Sequence, residues 1–274
     1  MATIRRIRGS VLRFKQVFCI IRPSSDTNSR QQANPMESVP ELSTPPFGAA
    51  ASYSADRREA AGRRPDGVVL QVDATVSGVD GLAWLAGRRD AVTATQLAEL
   101  QQTAATQRWG WADLTRARLK LLRPRRAEVN ELGAAYLAAL VPGAAEAAQA
   151  LRRAGVAISL ASDVAAEALF GIATALGISP NELYAPRLCF DAIGAYVGCD
   201  LNTARMDDVL DATGSPAPAG STRTTFVGTR RTAVFAPRLT DDFIAFSGVV
   251  AREGVTDGIL TVATFPELIE VVLR

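Results

Sequence analysis

Short apolar runs, each followed by a helical pattern, constrain the fold of this chain more than any other feature. The runs are GVVLQV at 67–72, VAISLAS at 156–162, TRTTFVG at 222–228 and DDFIAFSG at 241–248, with weaker ones at 182–190 and 195–200. Continuous apolar runs of this length are typical of strands buried in a parallel sheet. Helical patterns alternate with them at 144–155, 163–178, 204–214 and 265–274. The sequence therefore predicts a mostly parallel sheet covered by helices on both faces, which is an α/β fold.

A long segment between the first two runs shows only helical periodicity. Apolar residues such as Leu122 and Tyr136 recur at helical spacing through 79–140, and no convincing strand interrupts them. This segment is predicted to be a helical insertion in the α/β core. A Pro-Gly pair at 142–143 opens the next helix, and Gly155 gives it a C-terminal stop.

The absence of histidine excludes several kinds of functional site. The 274 residues contain no histidine, and their three cysteines have no metal-ligand spacing. Ser-His-Asp triads, Cys-His dyads and His-ligated zinc are therefore ruled out. The formal net charge of +2 favours neither nucleic acid nor a strongly acidic partner. No apolar run is long enough to span a membrane, so we expect a soluble, cytoplasmic protein.

Residues 1–65 differ in composition from the rest of the chain. The first 23 residues carry no acidic side chain, and the residues after them are polar and rich in proline. Basic, acid-poor segments are typical of targeting peptides, and polar, proline-rich ones are typical of disorder. We predict a disordered or targeting tail, or an over-extended start with translation beginning at Met36.

Polar side chains follow three of the predicted strands at the points where the strands end. They are Gln71, Asp73 and Thr75 after the first strand, Ser162 and Asp163 after the second, and Gly228 with Thr229 after a later one. In an open parallel sheet, functional groups lie at the edge where the carboxyl ends of the strands meet. The functional site is predicted at this edge.

Read in order, these segments resemble the haloacid-dehalogenase (HAD) superfamily of phosphohydrolases, in particular its phosphoserine-phosphatase-like branch. The stretch QVDAT at 71–75 is similar to the family's first motif, Asp-x-Asp-x-Thr, and Ser162 stands at the phosphate-binding Ser/Thr of the second motif. The resemblance covers about residues 66–274. It implies a three-layer, Rossmann-like core at 66–80 and 141–274, with a helical cap at 81–140 inserted after the first strand.

The resemblance also implies a mechanism, from which this chain departs. In the family the first Asp attacks phosphorus to form an aspartyl-phosphate, the second protonates the leaving oxygen, and acidic groups hold Mg²⁺. Here Gln71 stands at the nucleophile position, whereas Asp73 keeps the position of the acid. The later Gly-Asp motif reads VGTRRTA at 227–233, so Thr229 and Ala233 stand at two lost acids.

Four further residues are placed in ligand binding by the resemblance. Ser162 and Arg205 would contact phosphate, with Arg205 in place of the family's lysine, and Asp80 and Arg118 would recognise the carboxylate and amine of an amino-acid ligand. The residues themselves leave other interpretations open. Ser162 suits a helix N-cap, Asp80 and Arg118 suit solvated helix faces, and Asp73 suits a turn.

The joint loss of three acids indicates that catalysis has been lost. We expect a phosphoserine-phosphatase-like protein with little or no phosphatase activity, kept as a binding or regulatory protein for a phosphorylated small molecule and without a resident metal. The alternative is an active Mg²⁺-dependent phosphomonoesterase, of the phosphoserine phosphatase type that serves serine biosynthesis, with Asp73 or Asp163 as its carboxylate. A decaying gene product is a third interpretation. Nucleic acid and membrane are not expected as partners, and the sequence leaves a protein partner open.

Overall fold

The computed structural model describes residues 64–107, 109–201, 223–229, 232, 242–249 and 259–274, all within a unit that spans Phe47–Arg274. The strands are β1 (Gly67–Gln71), β2 (Ala157–Ala161), β3 (Leu183–Tyr184), β4 (Arg187–Phe190), β5 (Tyr196–Asp200), β6 (Thr224–Gly228), β7 (Asp242–Phe246) and β8 (Thr261–Val262). The helices are α1 (Gly81–Ala86), α2 (Ala91–Gln107), α3 (Trp111–Leu122), α4 (Arg126–Ala138), α5 (Ala144–Arg153), α6 (Phe170–Leu176) and α7 (Phe265–Val272). Short 3₁₀ turns, Ala166–Leu169 and Pro180–Glu182, precede α6 and β3.

Six strands form one parallel sheet in the order β3-β2-β1-β6-β7-β8. The central strand β1 pairs with β2 on one side and with β6 on the other, and Gln71 lies opposite Ala161 at the end of β2. Because all the pairs are parallel, the ends of β1, β2 and β6 meet at one edge of the sheet. The predicted α/β fold with a mostly parallel sheet is confirmed.

Apolar side chains on the two faces of β1 belong to two separate clusters. Val68 and Leu70 are buried among residues of α5, α6 and α7. Val69 belongs to the other cluster, with Phe226 of β6 and Trp111 of α3. Side chains alternate between the two faces along a strand, so burial on both faces explains why β1 is a continuous apolar run.

Four helices, α1 to α4, lie between β1 and α5, with no strand among the described residues of that segment. The two ends of the segment lie side by side. Gly78 N–H donates to the Ala139 carbonyl (2.8 Å) and Val141 N–H donates to the Val76 carbonyl (2.9 Å). The helix predicted after the Pro-Gly pair is confirmed as α5, which Gly155 follows with a φ of 78°.

The helix predicted at 163–178 begins later than its sequence pattern indicates. Residues 163–165 are not helical, and the helical turn begins at Ala166. The strand predicted at 182–190 divides into β3, in the main sheet, and β4, which forms an antiparallel pair with β5. Pro186 lies at the break, where its ring leaves no N–H for a sheet ladder.

Some predicted features lie outside the described residues. These are the tail at 1–65 apart from its last two residues, the helix predicted at 204–214, Arg205 and Ala233. Among the helices that are described, none is long and apolar enough to cross a membrane.

Candidate functional site

The turn after β1 contains the first predicted motif. Residues Val72–Val76 are all buried, and Ala74 has a φ of 52°, in the left-handed region that residues other than glycine rarely adopt. The Ser77 hydroxyl donates to the Tyr136 carbonyl at 3.0 Å and ties the turn to α4. The turn holds the Asp73 side chain in the interior, where the residue is only 7% exposed.

The Asp73 carboxylate accepts three hydrogen bonds in this interior position. Its Oδ1 accepts from the Tyr136 hydroxyl and from Gly81 N–H (2.9 Å), and its Oδ2 accepts from the Ser162 hydroxyl (2.7 Å). The donors come from α4, from the start of α1 and from the end of β2. Gly81 approaches so closely because it has no side chain, since a Cβ there would lie 2.8 Å from Oδ1 and also against the Tyr136 hydroxyl. Asp73 therefore joins the helical segment to the sheet edge.

Burial changes the acidity of both groups in this contact. It raises the pKa of Asp73 to about 6, although the bonds from Tyr136 and Ser162 act in the opposite direction. Burial also raises the pKa of Tyr136 well above its ordinary value, and the neighbouring Asp73 charge adds to this increase. At neutral pH Asp73 is therefore mostly ionised and Tyr136 remains a hydrogen-bond donor.

Gln71, at the end of β1, is bonded through its side chain to the loop after β6. Its Oε1 accepts from Thr229 N–H (3.0 Å) and from the Thr232 hydroxyl (2.6 Å). A backbone N–H can only donate, so the amide oxygen rather than the nitrogen must face Thr229. Gly228 leaves room for this arrangement, because a Cβ there would lie 2.5 Å from Oε1. The predicted nucleophile position and one of the predicted lost-acid positions are therefore in contact.

Asp163, the residue after Ser162, bonds two side chains of α3. Its Oδ1 accepts from the Trp111 indole N–H (2.7 Å), and its Oδ2 accepts from Arg118 Nη1 (3.0 Å). Arg118 is 8% exposed, so it is not the solvated helix-face residue that one sequence interpretation allowed. The structure places it against Asp163.

The remaining predicted site residues lie in different surroundings. The Asp80 carboxylate caps α1 by accepting Ala83 N–H at 3.0 Å. The Thr75 hydroxyl is buried and has no hydrogen-bond partner among the described residues. The interpretation of Ser162 as a helix cap is wrong, because the next helical turn begins four residues later; its Oγ accepts Val164 N–H (3.2 Å) while the hydroxyl bonds Asp73.

Three residues complete these contacts without having been singled out as site residues from the sequence. Tyr136 and Trp111 carry a signal that would have found them, since a buried Tyr hydroxyl or Trp indole N–H needs a hydrogen-bond partner. Tyr136 lies on an apolar helix face, where such a hydroxyl has few partners. Thr232 carries no comparable signal, because its contact with Gln71 joins residues 161 positions apart.

The curated proteins similar to this chain include mammalian phosphoserine phosphatases. No family model matches the chain. Phosphoserine phosphatase of Rattus norvegicus is 29% identical over 202 residues, which cover 70% of this chain and 86% of the rat protein. The phosphoserine phosphatase of Homo sapiens is 28% identical over the same length and shares of both chains. The chain is thus similar to the phosphoserine phosphatases over 70% of its length.

Solved structures agree with this relationship at the level of the fold. A phosphoserine phosphohydrolase-like protein from Francisella tularensis has a TM-score of 0.59 at 16% identity, covering 76% of this chain and 99% of that one. The structure of DsGPDH of Dunaliella salina has a TM-score of 0.51 at 21% identity, covering 76% of this chain and 36% of its own. At these identities the likeness concerns the HAD-like, Rossmann-like fold alone.

The residues at the sheet edge fit poorly to the Mg²⁺ that the HAD resemblance implies. Within the described part of the chain, no group of three or more His, Cys, Asp or Glu side chains could hold a metal ion. The Gln71 oxygen is uncharged and already accepts two hydrogen bonds. The Asp73 oxygens accept three bonds in the interior. In proteins Mg²⁺ is usually held through one or two carboxylates, with waters completing a near-octahedral shell. At this edge Gln71 and Thr229 stand where the resemblance places such carboxylates, so the donor set fits Mg²⁺ poorly.

Proposed function

We propose that this phosphoserine-phosphatase-like chain does not hydrolyse phosphomonoesters and instead binds a phosphorylated small molecule at the carboxyl edge of its sheet. One observation carries the proposal. At the nucleophile position Gln71 presents an amide oxygen that accepts hydrogen bonds from Thr229 and Thr232. An amide oxygen has no negative charge with which to form an acyl-phosphate, and this one is also engaged by two donors.

The two carboxylates that could replace the nucleophile are engaged as well. Asp73 accepts hydrogen bonds from Tyr136, Gly81 and Ser162 inside the protein. Asp163 accepts from Trp111 and Arg118. Attack on phosphorus would weaken these bonds, because the carboxylate gives up its negative charge when it forms an acyl-phosphate. A buried donor left unpaired costs about 1–3 kcal/mol.

The proposed ligand site lies between a helical cap and an α/β core. We assign residues 81–140 to the cap, and 66–80 with 141–274 to the core. The bonds from Gly78 to Ala139 and from Val141 to Val76 support these boundaries, because they hold the entry and the exit of the segment together. Ser162 and Arg205 of the core would bind the phosphate. Asp80, at the border of the core, and Arg118, in the cap, would lie toward the rest of the ligand.

An activity assay with a gain-of-function variant tests the loss of catalysis. Purified protein is incubated with Mg²⁺ and, separately, with O-phospho-L-serine or an aryl phosphate that carries no carboxylate. We expect no turnover above background with either compound, and the aryl phosphate is the substrate on which the variants below are compared. The triple variant Gln71→Asp, Thr229→Asp, Ala233→Asp should gain turnover, and adding Asp73→Asn to it should remove that gain. Loss of catalytic groups in other enzymes costs ~10⁴–10⁶ in rate, so the gain should be easily measured. Wild-type turnover that Asp73→Asn abolishes would refute the proposal.

A thermal-shift measurement tests the binding half of the proposal. A ligand that binds only the folded state raises the unfolding temperature by mass action. We expect phosphomonoesters to raise it, to the same extent with and without Mg²⁺. A shift that requires Mg²⁺ would contradict the metal-free site.

The alternative, an active phosphomonoesterase with a rearranged site, has one observation in its favour. The pKa of Asp73 is raised to about 6, and such a group can exchange protons near neutral pH as a general acid. An acid without a nucleophile forms no covalent intermediate, so this alternative needs water as the attacking group. It predicts slow wild-type turnover that falls as pH rises through the pKa of Asp73.

A further inference from the structure

Asp163 forms an ion pair with Arg118 of α3, a residue that the family resemblance places in contact with a ligand. The Asp163 carboxylate lies 3.0 Å from Arg118 Nη1 and 2.7 Å from the Trp111 indole nitrogen. The Arg118 side chain is 10% exposed and that of Asp163 is 33% exposed. A half-buried pair of this kind is less screened by solvent than a surface ion pair. The positive charge of Arg118 is therefore largely neutralised from within the chain.

Asp163 uses only part of the donor capacity of α3. Trp111, Thr115 and Arg118 are spaced so that they share one helix face. The Arg118 Nε–H and the Thr115 hydroxyl are both buried and have no hydrogen-bond partner among the described residues. A guanidinium offers a fork of parallel N–H groups that a planar carboxylate can accept in pairs, whereas Asp163 engages one nitrogen. Without Asp163, the carboxylate of a ligand could therefore bind Arg118 through two of its N–H groups. With Asp163 in place, the guanidinium already has a carboxylate partner.

We infer that Asp163 acts as an internal carboxylate ligand of Arg118 and excludes the carboxylate of an amino-acid phosphate, so that the site takes phosphomonoesters that lack a carboxyl group. The negative charge of Asp163 would repel a second carboxylate brought to the same guanidinium. A phosphomonoester of a simple alcohol or amino alcohol carries no such group. The inference rests on the proposed function for the phosphate itself, and it makes Asp163 a residue that determines specificity.

Chemical rescue tests whether Arg118 accepts a carboxylate once Asp163 is removed. Asp163→Ala leaves the Arg118 charge without its partner, so its unfolding temperature should fall below that of the wild type. Sodium acetate should restore part of this loss, whereas sodium chloride at the same concentration should restore less. The wild type and the double variant Asp163→Ala, Arg118→Met should show no difference between the two salts.

Ligand selectivity tests the assignment of the ligand class. O-phospho-L-serine and O-phosphoethanolamine differ only in the carboxylate, and their binding is measured by calorimetry in the absence of turnover. The wild type should bind O-phosphoethanolamine at least as tightly as O-phospho-L-serine. Asp163→Ala should gain ~10-fold in affinity for O-phospho-L-serine, which is the scale of a charge-assisted bidentate contact. Its affinity for O-phosphoethanolamine should stay within about threefold.

Several results would overturn the inference. They are a wild type that prefers O-phospho-L-serine, an Asp163→Ala variant that binds neither compound, and a variant without acetate rescue. If Asp163→Ala fails to fold, Asp163→Asn keeps the size of the side chain, removes its charge and undergoes the same comparison. Turnover by the wild type would refute the proposed function. It would leave the selectivity comparison valid, because that comparison measures binding alone.

Discussion

The backbone at Gly81 comes within hydrogen-bond distance of the Asp73 carboxylate, and no side chain separates them. At the scale of single residues, this site is made of groups that depend on one another for space and for hydrogen bonds. The same holds for Gly228, whose missing Cβ leaves room for the Gln71 amide. Small changes at these positions should therefore have large effects.

Replacing Gly81 by Ala should destabilise the protein. The new Cβ would lie 2.8 Å from Asp73 Oδ1, 2.9 Å from a Val164 methyl group and against the Tyr136 hydroxyl. Overpacking of this kind costs ~1–3 kcal/mol, which urea denaturation would measure. Gly198→Ala is the matched control, because nothing lies within 4 Å of its Cβ position, and it should change the free energy of unfolding by less than about 0.5 kcal/mol. Equal effects of the two substitutions would contradict the packing described for Asp73.

The raised pKa of Asp73 predicts that stability increases as the pH falls. The pKa is about 6 in the folded protein and near the ordinary aspartate value when unfolded, so the folded state binds the proton more tightly. Its contribution to stability is complete below the unfolded pKa and is lost as the pH rises through 6. Between pH 7.5 and pH 5 the free energy of unfolding should rise by roughly 1–1.5 kcal/mol from this group.

Comparison with Asp73→Asn isolates that contribution. Burial also raises the pKa of Glu167, so the wild type should show a somewhat larger total increase over the same pH range. The substituted protein should lose the Asp73 share and keep the rest of the pH dependence, which includes the Glu167 share. Denaturation curves recorded at both pH values give the difference, and identical pH dependence in the two proteins would argue against a buried, titrating Asp73.

At the scale of elements, an ion pair fixes the loop between α1 and α2 to the start of α4. Arg89 donates to both Glu128 oxygens at 2.7 Å each, and its Nε–H donates to the Leu122 carbonyl at 2.7 Å. Glu128 also accepts Arg125 N–H at 2.7 Å. Bidentate, partly buried Arg–carboxylate pairs are among the ion pairs that stabilise proteins most.

Arg89→Met should destabilise the protein much more than an equivalent change at an exposed pair. It removes four hydrogen bonds, of which the fourth is the one to the Arg88 carbonyl (3.3 Å). It also leaves Glu128 partly buried without its partner, so a loss of ~1–3 kcal/mol is expected in urea denaturation. Arg116→Met breaks the exposed pair with Asp113, whose side chains are 57% and 73% exposed, and should cost less than about 0.5 kcal/mol. If both variants unfold at the same urea concentration, the Arg89 contacts contribute nothing to stability.

The strands were predictable because apolar content along the chain determines them. The runs at β1, β2, β6 and β7 are buried where the sequence places them. Residues 163–165 were predicted wrongly, because Ser162 and Asp163 bond Asp73, Trp111 and Arg118 instead of a helix start. These contacts join residues between 45 and 89 positions apart, and local propensity contains no information about them.

At the scale of the whole molecule, β1 is the strand that contributes side chains to the apolar clusters on both faces of the sheet. It pairs with β2 and β6, and its side chains enter both apolar clusters. Among the described strands, β8 lies at the edge of the sheet, and β5 pairs with β4 alone. The backbone N–H groups of β1 should therefore exchange with solvent only when the whole domain unfolds.

Hydrogen–deuterium exchange tests this order of stability. The amides of Val68, Val69 and Leu70 should exchange at the rate of global unfolding, and those of β5 and β8 at least about tenfold faster. Low concentrations of denaturant should accelerate β1 exchange in proportion to global destabilisation. Exchange in β1 that is as fast as in β8 would show that the sheet does not unfold as one unit.

The two hydrogen bonds accepted by Gln71 also limit how this lineage can evolve. Aspartate is one methylene shorter, so Gln71→Asp alone would take the acceptor away from Thr229 N–H and Thr232. The described residues also offer no group of acids that could hold a metal ion beside the new charge. On the proposed function, Gln71→Asp alone would therefore lose these two contacts without gaining hydrolysis. On that proposal, hydrolysis requires changes at Gln71, Thr229 and Ala233 together, and none of the three is sufficient alone.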